Sequence, residues 1–149
     1  MTDDLTPADQ DPQAHLTWHA ALLGAAVGIA GPAYTGTLTS NVATRVMLAN
    51  GHTLQEVNAY LGQYAFTLPM VLGFISCIFF ALACGWVSAA YGRGSAVSQG
   101  LAAGLLSVSF SIVMLLNPAE SPNPVYLAAG LMIQVLGSVA GAWAFKRKS

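Results

Sequence analysis

Few side chains in this sequence have the chemistry to act on a ligand, and the best placed are neutral. Gln134 stands deep in the last apolar stretch, between Gly130 and Gly137. Ser107 and Ser111, four residues apart in the preceding stretch, put two hydroxyls on one helical face. A carboxamide and two hydroxyls can line the path of an ion or small solute without any formal charge. Their simpler role is to hydrogen-bond one helix to another, worth about 0.6–2 kcal/mol. A second group is Asn41, Arg45 and Glu56, with Asn41 and Arg45 one helical turn apart. Arg45 offers an anion-attracting group or a contact for a partner, and Glu56 is its expected ionic neighbour across Asn50-Gly51. Such an exposed pair contributes at most about 1 kcal/mol.

Other chemistries find no footing. No Asp or Glu lies in the core of any apolar stretch, which weighs against proton-coupled transport. There is no Gly-x-Ser-x-Gly, no phosphate-binding glycine loop, and no histidine or lysine beside Ser107, Ser109 and Ser111 to act as a base. His15 and His19 are four apart, but zinc takes four ligands, or three and a water, so interfacial anchoring is their expected role. No enzyme activity, cofactor or metal is therefore expected. Cys77 and Cys84 are seven residues apart on one stretch, about 10.5 Å along a helix, too far for a disulfide.

The elements that position these residues are apolar. Of 149 residues, 55% are hydrophobic and only 7% charged, against about 25% charged in a soluble domain. The formal net charge of -1 leaves no basic patch for nucleic acid. The expected fold is an all-α integral membrane protein, a four-transmembrane-helix antiparallel bundle. Its spans fall at about 16–34, 67–91, 97–116 and 125–145. Residues 1–15 read as an acidic tail without the basic opening of a signal peptide, and residues 146–149 as a basic tail. Gly31-Pro32 is expected to kink or break the first span. Residues 35–66 read as an outward-facing amphipathic helical hairpin between spans one and two. Its two arms meet at the Asn50-Gly51 turn, and the second opens with the capping box Thr53-Leu54-Gln55-Glu56. That second arm is expected to run on into the second span. Asn117–Pro124 reads as a stiff, non-helical loop.

Small residues recur in four-three-four steps along each span, which lets membrane helices approach closely. The expected packing positions are Gly24, Gly28 and Gly31, then Gly100 and Gly104, then Gly130, Gly137 and Gly141. Cys77, Ala81, Cys84 and Ser88 form the corresponding stripe of the second span. Four of the five basic residues, Arg93 and Lys146–Lys148, fall on one side of the membrane if the spans alternate. By the positive-inside rule that side is the cytoplasm, with both termini there and the chain in a cell (inner) membrane.

The stretch Gly85–Gly94 resembles the loop after the second helix of major-facilitator transporters. Ala89 and Ala90 stand where that family has an acidic and a basic residue, and four spans replace twelve, so its mechanism is not carried over. Small multidrug transporters share the four spans but need a membrane glutamate that this chain lacks. The reading that remains is a non-enzymatic accessory, assembly or immunity-type partner of another membrane protein. A small channel or transporter, assembled as a homo-oligomer, is its alternative.

Overall fold

The computed structural model describes residues 16–62, 68–115 and 124–146. These residues form five helices: α1 (Trp18–Ala49), α2 (Leu54–Gly62), α3 (Leu68–Tyr91), α4 (Ala96–Leu115) and α5 (Pro124–Lys146). No strand occurs among the described residues. α1, α3, α4 and α5 are each long and apolar enough to cross a membrane. The acidic tail, residues 63–67, residues 117–123 of the proline-rich loop and residues 147–149 of the basic tail lie outside the described residues.

α1 shows no break at Gly31-Pro32. It is one continuous helix of 32 residues that runs through Pro32. At 1.5 Å per residue it is about 48 Å long, beyond the ~40–45 Å of a whole bilayer. Pro32 supplies no amide hydrogen to the Gly28 carbonyl, yet the helix continues because the next turns satisfy themselves. The hydroxyls of Thr35, Thr37, Thr39 and Thr44 each donate, at 2.9 Å, to the carbonyl four residues earlier. The polar run after Pro32 thus spends its hydroxyls on its own backbone. The Asn50-Gly51 turn follows, with Gly51 at φ +87°, a conformation that suits a residue without Cβ. In the capping box, Thr53 N–H donates to Glu56 Oε2 at 2.8 Å and Glu56 N–H to Thr53 Oγ1 at 3.3 Å. Pro124 opens α5, where a missing amide hydrogen costs nothing.

α3 and α4 each pack against both α1 and α5, and against one another. The contacts are made at backbone distance. A Cβ on Gly85 of α3 would overlap the Ser138 carbonyl of α5, and one on Gly141 would overlap the Leu82 carbonyl. Gly137 faces Ala81 Cβ at 2.6 Å and Gly100 faces Ala142 Cβ at 2.6 Å from the same kind of point. Gly104 meets Ser138 and Val135, Gly24 meets Cys84, Ser88 and Ala103, and Gly31 meets the Phe80 ring. Gly130 behaves differently: a Cβ there would meet nothing within 4 Å, as at Gly36 and Gly73. Helix contact is therefore tight toward the end that holds Trp18 and Arg93 and opens toward the other.

Gly85→Ala is expected to destabilise the protein by about 1–3 kcal/mol, because the clash is with backbone that cannot rotate away. Gly130→Ala, filling open space on a helix, is expected to be neutral or to stabilise by up to about 1 kcal/mol. Thermal unfolding of both variants in one detergent checks the contrast.

Candidate functional site

The polar groups predicted from sequence divide into three places. The first is at mid-bundle. Ser107 and Gln134 are buried, with 1% and 7% of their surface exposed. Both reach Gly28: a Cβ on that glycine would overlap Gln134 Nε2 and stand 3.1 Å from Ser107 Oγ and 3.2 Å from Cys84 Cβ. α1, α3, α4 and α5 thus each place a residue at this point. Neither Ser107 Oγ nor Gln134 Nε2 has a hydrogen-bond partner. The Gly28 carbonyl, deprived of its usual donor by Pro32, belongs to the same neighbourhood. Ser111 is not part of it, because its hydroxyl donates to the Ser107 carbonyl at 2.9 Å within α4. Ser138 likewise donates to the Gln134 carbonyl at 2.7 Å. The centre is polar but neutral, and what it can offer a guest is one amide N–H pair and one hydroxyl.

The second place is the tight end, which carries a residue that spacing did not reveal. Gln99, in the first turn of α4, has 1% of its surface exposed. Its Nε2 donates to the Arg93 carbonyl at 3.2 Å, and its side chain lies against Gly92. Thr17 joins the same connection from α1: Arg93 N–H donates to Thr17 Oγ1 at 2.9 Å, and the hydroxyl donates to Arg93 O at 3.3 Å. Thr17 stands at the α1 N-cap but makes no cap bond with its side chain, having been diverted to this tie. Trp86 and Phe145 pack edge to face nearby, their centroids 6.2 Å apart. The signal for Gln99 lay in its type: a glutamine that begins an otherwise apolar span needs a partner, and the adjacent Gly92–Ser95 turn has unpaired carbonyls to supply.

The third place is the open end. Asn41 and Arg45 are exposed on α1, and Glu56 is exposed on α2. The Arg45–Glu56 pair expected from sequence does not form. Glu56 instead bonds Thr53 and stands 3.5 Å from His52 Nδ1. Arg45 makes no ion pair among the described residues. Beside it lies an open apolar groove of about 440 Å³, between the second half of α1, Tyr60 of α2 and the start of α3. Leu38, Val42, Val46, Leu68 and Leu72 form most of its wall. His19 is exposed at the other end of α1, and His15 lies outside the described residues.

Two outcomes follow from this geometry. Gln134→Leu removes a buried N–H that has no acceptor, so stability in detergent is expected to stay level or to rise by about 1 kcal/mol. A fall of ~2 kcal/mol in thermal unfolding would instead reveal a hydrogen bond made there. For Glu56, the Thr53 backbone bond, with the Thr53 hydroxyl and His52 adding to it, holds the carboxyl below its usual range. The folded value lies below the unfolded one. The stabilisation of the α2 start is therefore complete above about pH 4.3 and is lost as pH falls through the lower folded value. In an NMR titration Thr53→Ala is expected to move the Glu56 midpoint upward toward the ordinary carboxylate value.

No family model matches this chain, and no curated protein or solved structure is significantly similar to it.

Proposed function

We propose that the chain is a non-enzymatic membrane protein that serves as an accessory, assembly or immunity-type partner of another membrane protein. In this reading α1, α3, α4 and α5 span a cell (inner) membrane as an antiparallel bundle, with both termini in the cytoplasm. The end of α1 and α2 form a helical hairpin on the far side. The observation that carries the reading is the contrast between the two ends. One is locked by backbone contacts and side-chain ties. The other presents α2 with Leu54 64% exposed beside Gln55, Glu56 and Asn58 on a helix of nine residues. A helix that short has little stability of its own, and its α1 neighbour buries little more than Val57. An apolar residue displayed among neutral and acidic groups on a held hairpin is suited to docking.

A second reading, a small oligomeric channel or carrier, is favoured by one specific observation. Ser107 Oγ and Gln134 Nε2 are buried and unpartnered where four helices meet, and such atoms in hydrocarbon are costly unless used.

The test is a photo-crosslinking residue placed at Leu54, with one at lipid-facing Leu101 as control, in the source cell. Native mass spectrometry then follows gentle extraction. The partner reading expects one other membrane protein in fixed ratio, captured from position 54 and not from 101. A bare homo-oligomer whose liposome flux is abolished by Gln134→Leu, with the fold intact, would replace it with the second reading.

A further inference from the structure

The open groove and Arg45 together form a site whose ligand class can be named. We infer that it binds one anionic phospholipid, with an acyl chain in the groove and the headgroup phosphate against Arg45. The inference rests on the bilayer-spanning part of the proposed function and not on the partner part.

The depth of the site comes first. Arg45 is 27 residues beyond Trp18 on one unbroken helix, so it stands about 40 Å along the axis from that indole. With Trp18 at headgroup level on one side, ~40–45 Å of bilayer places Arg45 at the headgroups of the other. α3 gives the same level independently. Tyr91 lies beside the Thr17–Arg93 tie, and Leu68, which lines the groove, is 23 residues above it, about 35 Å. The groove therefore begins in the hydrocarbon and ends among the headgroups.

Shape and charge select the occupant. The cavity of about 440 Å³ is walled almost wholly by hydrocarbon side chains and is open rather than enclosed. That volume is within the range of small-ligand pockets, and an open apolar wall at this depth admits a chain from the surrounding lipid. Leu38, Val42 and Arg45 follow one another at i, i+4 and i+7 on α1, so Arg45 shares a face with two lining residues and flanks the groove, whose wall runs on to Val46 and Met47. Arg45 is exposed, and the carboxylate nearest in sequence, Glu56, is engaged by Thr53 and His52. A guanidinium binds a phosphate through two parallel hydrogen bonds. A net negative headgroup completes that pairing, whereas a zwitterionic one brings its own cation beside the arginine. Arg93 and Lys146 belong to the opposite end. Among the described residues Arg45 is the one arginine or lysine at this level, and His52 is engaged by Glu56.

The test uses the full chain, purified in detergent without any partner. Its membrane insertion is first established by resistance to alkaline extraction. Native mass spectrometry then compares phosphatidylglycerol with phosphatidylcholine of identical acyl chains. The expected result is one phosphatidylglycerol retained at least fivefold over phosphatidylcholine. Arg45→Gln is expected to reduce the ratio to below twofold with the melting temperature unchanged, while Arg93→Gln leaves it intact. Ala43→Trp, which fills the groove from α1, is expected to lower retention of both lipids. Equal retention of the two lipids by an inserted protein, or a preference that survives Arg45→Gln, would overturn the site and leave the spanning reading in place. Failure of insertion would overturn both.

Discussion

The structure depends on backbone meeting backbone between α3 and α5. Gly85 lies against the Ser138 carbonyl, and Gly141 lies against the Leu82 carbonyl, at distances that exclude even a methyl group. Between helices in lipid no hydrophobic force separates one apolar face from another. Close approach, which multiplies dispersion contacts, is what remains. The buried core reflects this, being made of Ala20, Ala21, Ala81, Cys84, Ala103 and Ala142 rather than of large residues. Leu, Ile and Phe are turned outward, with Phe79, Val113 and Leu136 each more than 60% exposed. In water that inversion would be untenable; against acyl chains it is the natural arrangement.

Tight packing leaves little space for polar groups, and their fates differ by position. Serines and threonines in the spans mostly return their hydroxyls to the preceding turn. Ser88 bonds Gly85, Ser109 bonds Leu105, and Ser111 bonds Ser107. Such residues behave toward their surroundings as small apolar ones. Glutamine is too long for this. Gln99 solves the problem by reaching the Arg93 carbonyl, although its Oε1 stays unpaired. Gln134 is aimed at Gly28 and Ser107 without completing a bond. The two glutamines therefore do different things: one closes an end, and the other leaves a neutral polar point in the middle.

What the sequence disclosed follows the same physics. Apolar length and the lack of charge gave all four long helices, because hydrocarbon thickness imposes them whatever the tertiary detail. The capping box and the Asn50-Gly51 turn were legible because they are local. The stripe of small residues included Gly28, and Gln134 was expected to bond Ser107 or Ser111. Ser107 and Gln134 do meet at Gly28, but neither Ser107 Oγ nor Gln134 Nε2 has a hydrogen-bond partner. The stripe also extended to Gly130, which faces open space. Spacing defines a face, but it does not say where along a helix the neighbours diverge. Gly85 was passed over because the stripe was traced through Cys84 instead, one residue away. Arg45 with Glu56 failed for a different reason: Thr53 and His52 lie within one turn of the carboxylate, and the local partners prevailed.

Continuity of α1 past Pro32 is the point from which the two ends acquire separate characters. A break there would have separated residues 35–49, read from sequence as an arm of an outward-facing hairpin, from the span before them. The threonine back-bonds satisfy those hydroxyls internally, and the helix continues without interruption. A continuous helix of about 48 Å outlasts the tight part of the bundle. There Leu38, Val42 and Val46 of α1 face Tyr60, Leu68 and Leu72 across the groove. The groove lies where the backbone-distance packing of the other end has given way. Arg45 stands exposed beside the groove because it follows Val42 by three residues on the same unbroken helix.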